Sequence, residues 1–326
     1  MKRVIYTSPY IPAEWIAAHG LKPCRIIPCT SNTSSEIMRT AGLCPLVRDF
    51  INHLKEEKDC VAVFTTVCDQ MRRGFDIVSS RLDMPSFLMN VPSTWQTVTS
   101  QKLYLDEIKR FGEFFIRLGG KTPSNETLTE IMLKYDAARK SLLAQKDRLT
   151  AKQFAEKIEQ FCNKNPDVNR RMSFSPCGKG IPLAIIGSPI LKQNFELLEI
   201  TEQLGGRIVL NATENAERGL CPPFNQRNLK ENPLLELADT YFNGIYDAFK
   251  RPNTELYKWL KKMFAEREIH GIIFHRNIWC DTWHAELHRL KKWSQLPVLD
   301  IESTGDSDSA NQGNINRIRA FLEMLD

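Results

Sequence analysis

The run CVAVFTT at residues 60–66 is apolar at almost every position. A strand with one wet face alternates apolar and polar residues, and this one does not. Nearly continuous apolar, β-branched runs belong to strands covered on both faces, which parallel α/β sheets provide. IPLAIIGS (181–188) has the same character and reads as a second buried strand. Around the first run, KRVIYTS (2–8), KPCRIIPC (22–29) and PSFLMNVP (85–92) read as strands. IPAEWIAAHG lies between two of them, with Pro12 at the first helical position and Gly20 just past the last, and is predicted as a short helix. PLVRDFINHLKEE (45–57) carries apolar residues at helical spacing. Strands alternating with helices imply parallel βαβ units.

Between about 98 and 164 the pattern becomes helical. QKLYLDEIKRFGEFFIRLGGK and the segment from ETLTEIMLKYDAARK through AKQFAEKIEQF are amphipathic, with Ser124 or Asn125 as cap between them. The polar stretch NKNPDVNRRMSFSPCGKG then reads as a linker, after which the alternation restarts. RIVLNAT, GIIFH and LPVLDIE are further strands, and helices run through NPLLELADTYFNGIYDAFK, TELYKWLKKMFAERE, DTWHAELHRLKKW and INRIRAFLEML. The expected fold is α/β, with two doubly wound Rossmann/flavodoxin-like sub-domains. Residues 1–172 form the first, with the helical insert, and 173–326 the second.

A chain of 326 residues is long enough for two cores, and its 42% hydrophobic and 25% charged content is that of a globular protein. No basic run with interleaved aromatics points to nucleic acid. MKRVIYTSPYIP is too short in apolar residues, and too broken by proline, for a signal peptide, and no window approaches the ~20 apolar residues of a membrane span. A cytoplasmic protein is expected. Its nine cysteines, an odd number in a reducing compartment, are then core residues, reactive thiols or metal ligands rather than disulfides.

GGKT (119–122) looks like the end of a P-loop, but the pattern needs glycine where Phe115 stands, and the segment follows a helix. It reads as a helix end. No G-x-G-x-x-G follows any strand. CDTWHAELH sets Cys280, His284 and His288 at four-residue spacing, which suits either zinc or a solvated helix face.

DCVAVFTTVCDQM and HGIIFHRNIWCDTW share a different feature: each strand is followed by a Cys-Asp pair. Ligands of open α/β sheets sit at the carboxyl ends of strands, where Cys68 and Cys280 fall. Cys44 opens the helix before the Cys68 strand, and a helix N-terminus favours thiolate. Three such cysteines suit an iron–sulfur cluster with its fourth iron open, although buried free cysteines also occur as plain core residues.

The chain resembles the 2-hydroxyacyl-CoA dehydratase and benzoyl-CoA reductase family over nearly its whole length. The resemblance runs through YIPAEWIAAHGLKPCRI, TTVCDQMRR, LDEIKRFGEFFIRLGGK with ETLTEIMLKYDAARKSLL, IIGSPILKQNFELLEITEQLGGRIV, GIIFHRNIWCDTWHAELHRLKK and RIRAFLEML. IVLNATENAERGL departs from it, lacking the acidic, cysteine-containing turn of many relatives. The resemblance implies a [4Fe–4S] cluster held by Cys44, Cys68 and Cys280. It implies a homologous partner subunit or a second copy of this chain, and a CoA thioester substrate. It also implies an ATP-dependent activator with its own cluster, consistent with the missing P-loop. The chemistry it implies is one-electron: a ketyl radical anion expels the neighbouring hydroxide, or an aromatic ring is reduced. Candidate catalytic residues at strand ends are Ser188, His275 and Glu14, with Tyr10 and Arg276 as substrate-binding candidates; for each, strand-end hydrogen bonding or capping is the plainer role. A double-cubane reductase that draws on Cys177 and Cys221 is one alternative. A non-catalytic partner of a catalytic paralogue is another.

Overall fold

The computed structural model describes residues 2–29, 42–164, 179–304 and 312–326. The first sheet is built from β1 (Arg3–Tyr6), β2 (Lys22–Arg25), β3 (Cys60–Thr65) and β4 (Ser86–Met89). The helices among these strands are α1 (Ala13–Ala18), α2 (Pro45–Glu56) and α3 (Asp69–Arg81). The helical segment follows as α4 (Val98–Arg117), α5 (Asn125–Leu143) and α6 (Ala151–Lys164). The second sheet contains β5 (Ile181–Gly187), β6 (Gly206–Thr213), β7 (Gly271–Asn277) and β8 (Val298–Ser303). Its helices are α7 (Glu196–Gln203), α8 (Gln226–Glu231), α9 (Pro233–Gly244), α10 (Thr254–Glu266), α11 (Asp281–Ser294) and α12 (Gln312–Leu325).

Both sheets are parallel and four-stranded, in the orders β2-β1-β3-β4 and β6-β5-β7-β8. The two-sub-domain α/β expectation is met, and the sheets share one topology. All six residues of β3 are buried, which explains its unbroken apolar run. In this order the chain leaves the first strand to one side and the third strand to the other. A crevice therefore opens beyond the carboxyl ends of β1 and β3, and its counterpart beyond β5 and β7.

Helices cross between the two halves. Leu237, Ala238, Tyr241 and Phe242 of α9 share a core with Val61, Val63, Phe87 and Phe111 beside the first sheet. Ala151 and Ala155 of α6 join Leu183, Ile185 and Ile208 on the second. Arg25 adds a polar tie, donating to the Thr7 carbonyl at 2.9 Å and to the Gly219 and Glu214 carbonyls at 2.8 Å.

Local rules set the helix ends. Ser124 caps α5 by accepting the Thr127 amide at 3.2 Å. Thr150 and Gln153 form a reciprocal capping box, each accepting the other's amide at 3.2 Å, so α6 begins anew where the sequence suggested one long stretch. Gly119, at φ 91, follows α4, and the Gly120 amide bonds to the Phe115 carbonyl at 2.9 Å. GGKT is thus the helix end expected of it. Pro12 sits at the N-cap of α1, one residue before the position expected. Among the described residues no helix is long and apolar enough to cross a membrane.

Candidate metal centre

Cys44, Cys68 and Cys280 are the N-cap residues of α2, α3 and α11 respectively. Cys68 and Cys280 follow β3 and β7, the equivalent third strands of the two sheets, so one strand–turn–helix device occurs twice. All three cysteines line a single cavity of about 350 Å³, together with Ser8, Tyr10, Thr66, Ser188, Glu214 and Asn277. The carboxyl ends of β1, β3, β5 and β7 thus open onto one space.

Burial is the largest influence on each thiol. It pushes Cys44 up to about 11 and Cys68 up to about 12, and raises Cys280 further. The charge of a Cys44 thiolate raises Cys68, and the charges of both raise Cys280. Against this act the first-turn amides: Val47 and Leu46 on Cys44, Met71 and Gln70 on Cys68, and Trp283 on Cys280. These amides face the sulfurs without closing into full capping hydrogen bonds. Three thiols that repel one another as anions, each beneath a helix N-terminus, form a site that a cationic centre would deprotonate. The Gln70 side-chain carbonyl accepts the Cys44 amide at 2.9 Å and so ties the starts of α2 and α3 together.

Among the described residues no group of three or more His, Cys, Asp or Glu side chains is arranged to hold a single metal ion. A four-iron cluster asks for something different, because each thiolate binds its own iron and the sulfurs stand a cluster's width apart. An all-thiol donor set around a cavity of this size, with amides directed at the sulfurs, fits that group. The zinc reading of α11 does not hold, since His284 and His288 lie exposed on the outer side of the helix.

The other predicted residues divide. Ser188 and Tyr10 line the cavity. The Ser188 hydroxyl accepts the Asn277 amide at 2.9 Å and lies 3.5 Å from His275 Nδ1. Tyr10 donates its hydroxyl to the Ile245 carbonyl at 3.0 Å, so that group is already engaged. His275 stands behind Ser188 and is 1% exposed. Glu14 does not line the cavity; it pairs with Arg139 at 2.8 Å and accepts the Tyr241 hydroxyl at 2.6 Å. Arg276 is also outside the lining and forks onto Asp300 at 3.1 and 3.2 Å. Both are held in ion pairs in this fold. Cys221 lies in a separate small cavity with Cys162 and Arg139, and Cys177 falls outside the described residues.

Burial holds His275 neutral down to about 4. The unfolded chain takes up that proton near 6.5, so the folded state is disfavoured below that pH. The His275 contribution to stability is therefore complete above about pH 6.5 and falls by roughly 3 kcal/mol as pH drops to about 4. Denaturant titrations across this range check it, and His275→Gln should lack that loss.

Several cavity residues were not anticipated. Glu214 follows β6 directly, Asp247 follows α9, and Trp279 stands 57% exposed at φ 64 beside Cys280. The strand-end rule that selected Cys68 and Cys280 applies equally to Glu214.

Two parallel sheets of one topology, with three helix-capping cysteines between them, match a known class. Residues 9–325 fit the family model described as 2-hydroxyglutaryl-CoA dehydratase, D-component, and the chain belongs to that family. Over 97% of its length it is 23% identical to the (R)-phenyllactyl-CoA dehydratase beta subunit of Clostridium sporogenes, of which it covers 90%. The resemblance read from the sequence is borne out.

Proposed function

We propose that this chain is the iron–sulfur subunit of an enzyme of the 2-hydroxyacyl-CoA dehydratase type. Cys44, Cys68 and Cys280 would hold a [4Fe–4S] cluster. The substrate is a 2-hydroxyacyl-CoA thioester, with an aromatic acyl-CoA as the second candidate. The observation that carries this reading is the meeting of the three cysteines, from three separate helix starts, on one cavity.

When bound, the cluster supplies a single low-potential electron and an open iron position. The chain's own residues shape the rest. The starts of α2, α3 and α11 direct amide dipoles into the cavity, and these favour negative charge on a bound thioester oxygen. Tyr10, Phe249 and Trp283 wall the space and limit water. Ser188, fixed by the Asn277 amide, offers a hydroxyl at the floor.

The relative is a beta subunit, and we propose a homologous partner subunit here too. An ATP-dependent activator with its own cluster would deliver the electron. The test is anaerobic turnover of (R)-phenyllactyl-CoA with ATP and activator, with and without the partner. Release of water from the thioester in one of these mixtures is expected. Its absence from all of them, with cluster present, contradicts the reading.

A further inference from the structure

We propose that Glu214 is the catalytic residue that carries the proton during loss of water at this cavity. The inference rests on the proposed function, and it assigns a role to a residue outside the cysteine set.

Glu214 lines the cavity together with Cys44, Cys68 and Cys280. Among the described residues its carboxylate has no hydrogen bond and no ion pair, and none joins it to a thiol. It is half-buried, so its surface opens on the cavity rather than on packed protein. Its backbone, by contrast, is tightly held. Arg25 donates to the Glu214 carbonyl at 2.8 Å, and a Cβ on Gly219 would meet that oxygen at 1.7 Å. The main chain is fixed while the acid group stays free.

Asp247, which lines the cavity along with Asp69 and Asp281, is differently placed. It is ion-paired with Arg218 and accepts the Phe249 amide at 2.9 Å. Asp247 is consumed by its partners and Glu214 is not, a contrast that separates the roles of these two carboxylates. Burial first, and then the charge of Asp247, push the Glu214 carboxyl up to about 7, against the opposing pull of Arg218 and Arg25. The thiols of Cys68 and Cys280 feel its charge in turn. A group poised near neutrality can both give and take a proton.

The step balances as follows. With one electron added to the thioester, the C2–O bond breaks and the oxygen leaves with the bonding pair. Glu214, as the acid, gives that oxygen its proton and water forms. The Glu214 carboxylate then removes a proton from the β-carbon and is an acid again. The electron is returned, leaving an enoyl thioester. The substrate has lost one water, and nothing is oxidised or reduced overall.

The test compares wild type with Glu214→Gln and Glu214→Asp, using (R)-phenyllactyl-CoA as the probe. Glu214→Gln should keep the wild-type iron content and lose at least about 100-fold in rate, with Glu214→Asp recovering part. A second readout needs no turnover: infrared titration of the purified protein. Wild type should lose a protonated-carboxyl signal as pH rises through about 7, and Glu214→Gln should lack that signal. A Glu214→Gln rate within about threefold of wild type, or an unchanged infrared titration, overturns the proposal. Wild type without turnover would count against the functional reading, and the infrared comparison would still decide on Glu214.

Discussion

Gly187→Ala should destabilise the protein by more than about 4 kcal/mol, or prevent folding. Gly187 is the last residue of β5 and stands opposite His275 of β7. Its φ is +140, which side-chain-bearing residues rarely adopt. An added Cβ would meet the His275 carbonyl oxygen at 1.8 Å. That oxygen is main chain in a central strand, so no rotamer change relieves the clash. The strands must part, which breaks the Ser188 amide bond to the His275 carbonyl at 3.0 Å. Ser188 and Asn277 would move with them, and Cys280 three residues further on. Urea unfolding measures the effect, and a cost below about 1 kcal/mol would show that the two strands can separate cheaply.

Arg218→Leu should cost about 3–5 kcal/mol. The guanidinium is 2% exposed as a residue, yet every one of its nitrogens has a partner. It donates to the carbonyls of Ala212 and Tyr246 at 2.9 Å and Gly187 at 3.2 Å, and pairs with Asp247. It also lies 4.8 Å from the Trp283 ring centroid. Leucine would take from Asp247 its ion-pair partner and from three carbonyls this donor. Arg218→Lys should rescue little, because a point charge cannot serve a fork of four acceptors. The double variant Arg218→Leu/Asp247→Leu should recover part of the loss, since the uncompensated charge is gone. Equal stability of Arg218→Leu and wild type would rule out this account of the pair.

The strands and the three cavity cysteines were legible because they obey local rules. CVAVFTT and IPLAIIGS announce buried strands by composition alone, and a cysteine just past a strand falls where parallel sheets place ligands. Helix α3 escaped notice because only Met71, Gly74 and Val78 are buried. Gly74, which reads as a helix breaker, is there because a Cβ would meet Val47 at 2.6 Å. Thr150 and Gln153 carry the capping signature of a new helix start, three residues apart in the sequence. The partners of Glu14 and Arg276 were not legible for another reason. Glu14 finds its partners 125 and 227 residues away, in Arg139 and Tyr241, which no spacing rule reveals. Arg276 alternates with His275 along β7 and pairs across to Asp300 and Glu302 of β8. Asp247 had no local signal, because its place is set by α9 packing against the other half of the molecule.

The proposed function depends on three thiols serving one inorganic centre. Iron and acid-labile sulfide, counted after anaerobic purification, test this most directly. Wild type and Cys162→Ala should carry about four irons per chain, while Cys44→Ala, Cys68→Ala and Cys280→Ala should each lose them. Full iron retained in any of those last three variants, or none in wild type, would contradict the account.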